Sequence, residues 1–177
     1  AVAAMVNEYK KMEDINVLTD IDPMSLTIEQ KRKALRAVNL IKQKRNFVIK
    51  GRMCANGAPH RKFLPREEER SPTISLEALI ATMMIDAFEG RRVATFDVPG
   101  AYLQTDLPEE KFALLKLEGQ FVDIMCEVNP EYLKYVIFEN GVKVLYLKII
   151  KAIYGMIESA LLWYELFVTV LKGMGFE

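Results

Sequence analysis

The sequence predicts an α+β fold, and three observations carry that expectation. A helix-period apolar run ends at Gly90, and Val93–Phe96 follows as a short β-branched and aromatic run closed by Asp97 and Pro99-Gly100. Two further apolar runs flank Asn140-Gly141, the strongest short-range signal for a two-residue hairpin, here of type I′. From Ser159 to Leu171 the pattern returns to helical spacing, with Leu162, Trp163, Leu166 and Val170, and Gly173 at its end. Taken alone, these patterns permit many α+β folds.

In chain order, Ala1–Glu13 reads as a short helix with Ala4, Met5, Tyr9 and Met12 at helical spacing. Leu18–Pro23 reads as a polar connection. Thr27 is a good N-cap with Gln30 three residues on, the pattern of a capping box. The spacing then predicts a helix carrying Ile28, Leu35, Val38 and Ile41 on one face and basic residues on the other. Phe47–Lys50 and Arg52–Cys54 read as extended segments hinged at Gly51. Asn56-Gly57-Ala58-Pro59 is a turn, and His60–Ser71 a charged, mobile loop. Thr73 or Ser75 caps a helix running to Glu89, with Gly90 as its C-cap. Its Met83-Met84 pair reads as core packing. After a turn at Leu107–Glu110 come a strand at Phe112–Leu117 and a short helix at Gly119–Glu127, ended by Asn129-Pro130. The hairpin strands are Tyr135–Glu139 and Val142–Leu147.

A chain of 177 residues with 51% hydrophobic content suits one domain, or most of one, with a sizeable core. No apolar run reaches the roughly 18–20 residues of a membrane span, and no cleavable signal pattern is expected at the start. Cys54 and Cys126 lack metal-ligand spacing, and the lone His60 cannot complete a zinc site. Idle thiols in a reducing, cytosolic or nuclear compartment are the expectation. Formal net charge is zero, yet Lys31–Arg66 holds twelve Lys or Arg and no Asp or Glu. A short charge run is usually a solvated face; thirty-six residues without a carboxylate favour a phosphate backbone as partner.

Asp97, at the end of a buried strand and before a turn, is well placed to hold a metal ion, and the turn offers backbone N–H groups to a phosphate. Taken alone, the stretch favours the plainer reading, since Asp is common as a cap at such a place. Two other segments bear on the choice: Lys50-Gly51-Arg52 before it, and Lys151-Ala152-Ile153-Tyr154-Gly155-Met156-Ile157-Glu158-Ser159-Ala160-Leu161-Leu162-Trp163-Tyr164 after it. With Phe96-Asp97-Val98-Pro99-Gly100-Ala101-Tyr102-Leu103, in this order and spacing, they resemble the copia-type retrotransposon reverse transcriptases. There Lys-x-Arg, Phe-Asp-Val-x-x-Ala-(Phe/Tyr)-Leu and Lys-Ala-(Leu/Ile)-Tyr-Gly-Leu-x-x-Ser-x-x-x-Trp-Tyr segments follow one another.

The resemblance implies an RNA-directed DNA polymerase fragment: residues 1–90 fingers-like, residues 91–177 a partial palm, truncated before the Tyr-x-Asp-Asp hairpin. It implies a two-Mg²⁺ nucleotidyl transfer in a longer parent, with Asp97 as catalytic, metal-binding carboxylate and the Val98 carbonyl as a further ligand. Arg52 first and Lys50 second would reach the incoming triphosphate, with a diffuse basic surface as the alternative for both, and Gly100 and Ala101 would offer it backbone N–H groups. Tyr102 would lie beneath the sugar and exclude a 2′-hydroxyl; a plain core tyrosine is the alternative. Tyr154 and Gly155 would line the nucleotide and template pocket. Separately from the resemblance, the basic run Lys31–Arg66 points to Lys42, Lys44 and Arg45 as nucleic-acid contacts. Implied partners are an RNA or DNA template-primer, a deoxynucleoside triphosphate and the rest of the retrotransposon polyprotein, including thumb and ribonuclease H. The implied location is a cytoplasmic virus-like particle or the nucleus.

The chain departs from the family pattern at two places. Pro99-Gly100 replaces the usual Lys-Thr, and Ile157-Glu158-Ser159-Ala160 replaces Lys-Gln-Ser-Pro. No Asp-Asp pair occurs in the sequence. Two alternatives stand beside the polymerase fragment: a non-catalytic nucleic-acid-binding remnant of a retroelement, and an unrelated Mg²⁺-dependent phosphotransferase drawing on Asp106, Glu109 and Glu110.

Overall fold

Helix α1 (Val2–Asp14) opens the fold and buries Met5, Tyr9 and Met12 at the spacing the sequence predicts. The computed structural model describes residues 2–62 and 71–176; the rest of the expected charged loop, 63–70, lies outside the described residues. Strand β1 (Leu18–Asp20) runs where a polar connection was expected. It pairs antiparallel with β6, and its apolar Leu18 is buried, so edge pairing overrides the polar composition of this stretch.

The largest departure follows Thr27. The capping box forms as expected, with Gln30 N–H donating to Thr27 Oγ1 and Thr27 N–H to Gln30 Oε1. Helix α2 (Ile28–Lys33) nevertheless ends after six residues, because Ala34 takes extended backbone angles. Leu35–Gln43 is strand β2, not a helix. It pairs antiparallel with β3 (Ile49–Ala55), and at its start runs parallel to β4 (Leu114–Glu118). Leu35, Ala37 and Asn39 alternate inward, and the Tyr9 hydroxyl donates to Asn39 Oδ1 at 2.9 Å. Those partners favour the period of two over the helical period that Leu35, Val38 and Ile41 also satisfy. Gly51 is no hinge. It lies within continuous β3, and a side-chain carbon there would meet the Ala4 carbonyl oxygen of α1 at 2.6 Å.

Helix α3 (Leu76–Glu89) is capped by Ser75 and ends on left-handed Gly90, as predicted. Its packing is not as predicted: none of its residues is buried, Met83 and Met84 included, and Phe88 is 93% exposed. Residues 91–98 carry no ladder hydrogen bonds, so the expected Val93–Phe96 strand is absent and Phe96 is 72% exposed. An apolar run becomes a strand only when a neighbour supplies the ladder, and no described strand lies beside this one.

Helix α4 (Gln120–Val128), strand β5 (Ile137–Glu139), strand β6 (Val142–Ile149) and helix α5 (Ser159–Gly173) follow the sequence expectation closely. Asn140 and Gly141 both have positive φ, as a type I′ turn requires. The six strands form one mixed sheet in the order β1-β6-β4-β2-β3, with β5 on β6. α1 and α4 cover one face over Leu115, Leu117, Leu145 and Leu147. Beneath α2 the opposite face holds a smaller cluster of Leu26, Leu114, Val144 and Tyr146. The molecule is therefore α+β, and none of its described helices is long and apolar enough to cross a membrane.

These two surfaces predict opposite mutational responses. Leu115, 0% exposed in the central sheet, should cost about 2–5 kcal/mol on Leu115→Ala. Phe88→Ala on α3 should stay within about 0.5 kcal/mol. Urea unfolding of the two variants measures both, and equal losses would mean that α3 is packed in solution.

Candidate functional site

The strip after β6 gathers distant parts of the chain. Ile150 N–H and Lys151 N–H both donate to the Val17 carbonyl, and Ala152 N–H donates to the Thr105 carbonyl at 2.8 Å. Thr105 closes the 3₁₀ turn Ala101–Gln104, so this bond fixes the segment after Asp97 against the strip. Ser159 Oγ, buried, donates to the Ile153 carbonyl at 2.7 Å and holds the turn into α5.

Three successive amides at the end of β3 complete the frame. Ala55 N–H donates to the Tyr154 carbonyl at 2.7 Å, Asn56 N–H to Arg36 and Gly57 N–H to the Gly155 carbonyl at 3.1 Å. Glycine is required at both contact points. A side-chain carbon on Gly155, whose φ is +87°, would stand 2.0 Å from the Ala55 oxygen; one on Gly57 would stand 2.3 Å from the Gly155 oxygen.

On this frame the Arg52 guanidinium lies 5.6 Å from the Tyr154 ring centroid, and the Tyr154 and Tyr102 rings are 5.3 Å apart and tilted by 52°. Both are favourable geometries for cation–π and aromatic contact. Burial pushes the Tyr154 hydroxyl up from its ordinary pKa, with the Arg52 charge opposing it. Burial likewise raises the Cys54 and Cys126 thiols from their ordinary pKa. Arg52, Tyr102, Tyr154 and Gly155 thus come together. Gly100, at a left-handed φ of +66°, and Ala101 form the turn just before Tyr102.

Asp97 and Val98 precede that turn in the unpaired 91–98 segment, and Phe96 sets its ring 6.1 Å from Phe167 of α5. No three His, Cys, Asp or Glu side chains among the described residues stand close enough to hold a metal ion together. Asp106, one of the carboxylates of the phosphotransferase alternative, pairs with Lys151 at 2.6 Å. One carboxylate and one carbonyl do not fill the oxygen shells of two Mg²⁺ ions, so the residues present do not fit a two-ion centre.

The remaining predicted residues lie at the far end of the β2–β3 ribbon. Lys42 stands directly across from Lys50, and Lys44 and Arg45 sit in the turn that Lys44 N–H closes onto the Val48 carbonyl. All four are exposed, as is Phe47 at the tip, 81% exposed with φ +63°. At the ribbon's base the charges are neutralised: Arg36 pairs with Glu118, and Lys116 with Glu118 and Glu139. Lys11 of α1, which the sequence does not mark out, lies against Gly100.

No protein-family model, curated protein or solved structure matches the chain.

The close backbone contact makes a sharp prediction. Gly155→Ala should destabilise the protein by about 3 kcal/mol or more, since it adds both a clash and a strained φ. Gly173→Ala, with open space around it in the last turn of α5, should be neutral or stabilising by up to about 1 kcal/mol. Thermal melts of the pair test the contact directly.

Proposed function

We propose that the chain is the fingers and first half of the palm of a copia-type reverse transcriptase, an RNA-directed DNA polymerase whose chemistry is completed by a longer parent chain. The observation that carries this is convergence: Arg52, Tyr102 and Tyr154 come from the three sequence segments of the resemblance and meet in one stack. On this reading Arg52 binds the triphosphate, Gly100 and Ala101 line its turn, and Tyr102 stands beneath the sugar. Contact with Tyr154 hinders Tyr102 from moving aside, which suits a ring that rejects a 2′-hydroxyl by steric overlap. Asp97 and Val98 would supply one part of the ligand set for two Mg²⁺ ions, whose chemistry is stabilisation of the attacking and leaving oxygens. The other carboxylates would come from the parent's Tyr-x-Asp-Asp hairpin. The uncovered α3 fits this assignment, because a helix that is apolar all round belongs in a core.

A second reading, a nucleic-acid-binding remnant without catalysis, draws on the incomplete carboxylate set and on the ribbon. Its exposed Lys42, Lys44, Arg45 and Lys50 need only a phosphate backbone as partner. The two readings share their binding surface and differ in whether a parent polymerase exists.

Binding of a primer–template should weaken steeply between low and physiological salt, with little sequence preference. Replacing Lys42, Lys44 and Arg45 together by Gln should lower the affinity and flatten the log–log salt slope by about 2–3. A slope that does not change would move the binding surface elsewhere. Primer extension separates the readings further. The 177-residue chain should extend nothing with Mg²⁺ or Mn²⁺, whereas joining it to an in-frame Tyr-x-Asp-Asp segment should restore extension that Asp97→Ala abolishes. Extension by the chain alone, above an Asp97→Ala control, would refute the need for the hairpin. Failure of the joined chain would favour the remnant.

A further inference from the structure

Helix α1 sends Met5, Tyr9 and Met12 into the core, which leaves Lys11, next to Met12, exposed at the helix edge. Its ammonium lies over the Gly100 backbone. A side-chain carbon on Gly100 would stand 3.3 Å from Lys11 Nζ and 4.0 Å from Lys11 Cε. Four cations on the sheet and the strip after it have carboxylate partners: Arg36 with Glu118, Lys116 with Glu118 and Glu139, Lys143 with Asp123, Lys151 with Asp106. Among the described residues Lys11 is in no such pair.

We propose that Lys11 is a phosphate-binding residue of the nucleotide site, contacting the triphosphate at the Pro99–Gly100 turn. The inference rests on the nucleotide-site assignment above and adds to it a cation from an element outside all three motif segments. Two cations then approach one surface from separate elements: Lys11 from α1 at Gly100, and Arg52 from β3, linked through Tyr154 to Tyr102 two residues further on. Glu8 of α1 opposes them, its charge acting on both Cys54 and Tyr154. A lysine suits the place because its compact ammonium can meet several phosphate oxygens without the fixed fork of an arginine. Val98, Pro99, Gly100 and Ala101 carry no charged side chain, so Lys11 brings to this turn a positive charge that its own sequence lacks.

The test uses the 177-residue chain, with chelator present and no added metal, at low salt. Inorganic triphosphate and dTTP are titrated separately by calorimetry; the first reports phosphate recognition and the second the whole nucleotide. Lys11→Ala should weaken both probes about fivefold, and Lys11→Arg should restore affinity to within about twofold of the unsubstituted chain. Lys10→Ala, an equal loss of charge at the neighbouring exposed position, should change little. Equal losses in Lys10→Ala and Lys11→Ala would reduce the effect to diffuse charge and overturn the proposal. If Arg52→Ala abolishes binding while Lys11→Ala leaves it intact, the Lys11 proposal falls and the nucleotide site stands. If neither probe binds the unsubstituted chain, both fall.

Discussion

Two backbones lie in direct contact where Gly57 and Gly155 meet, and the geometry of the site follows from that contact. The Ala55 and Gly57 amides reach across to Tyr154 and Gly155, while the Asn56 amide between them turns back to Arg36. This alternation is what a strand does with two neighbours, continued one step past the end of β3 into irregular chain. Because neither glycine carries a side chain, Tyr154 is drawn close enough to β3 for Arg52 to reach its ring face. Any side chain at either position would push the strip outward and separate the stack. The same strip holds Thr105 through Ala152, so the turn before Tyr102 and the ribbon that carries Arg52 share one support.

Apolar surface is divided unevenly about that support. On the sheet face under α1 and α4, Tyr9, Met53, Leu115, Leu117, Leu145 and Leu147 are essentially inaccessible. On the α3 side, apolar residues of comparable size remain exposed from Leu76 through Phe96. The sheet and its two helices therefore carry the cooperative stability, and α3 is joined to it mainly through the covalent chain. Local opening of α3 should cost far less than global unfolding, since few buried contacts would be lost.

Much of this was legible in the sequence, for reasons that differ by element. Caps and turns were readable because their signals are local. Thr27 with Gln30, Ser75, Gly90 and Asn140-Gly141 each do in the structure what their chemistry predicts. The failures arise where two periods coexist or where a partner decides. Leu35, Val38 and Ile41 satisfy a helix, while Leu35, Ala37 and Asn39 satisfy a strand; only the Tyr9 hydroxyl and the β3 register choose between them. Val93–Phe96 has strand composition without a ladder neighbour. At the site, Arg52, Tyr102 and Tyr154 were readable as members of motifs. That they meet, and that Lys11 lies beside Gly100, depends on contacts between residues far apart in sequence, which local patterning does not encode.

The charge pattern shows how the fold uses an imbalance that the composition hides. From Lys31 to Arg66 no carboxylate is available within the segment, so every neutralising partner for its described strands must come from elsewhere in the chain. Glu118 of β4 reaches Arg36 because β2 and β4 run parallel there, with Arg36 and Lys116 in register. Glu139 of β5 holds Lys116 and accepts the Tyr146 hydroxyl, whose pKa burial raises to about 12. These acids lie on the sheet and cannot follow the ribbon outward. Beyond Leu40 the two strands pair only with each other, and their register sets Lys42 opposite Lys50, a like-charge pair that disfavours folding. A cation pair of this kind persists at little cost while water and salt screen it, and it becomes favourable once a polyanion lies across both strands. Among the described residues the carboxylates that pair with Arg36 and Lys116 lie on the sheet, and the ribbon's tip presents a positive surface.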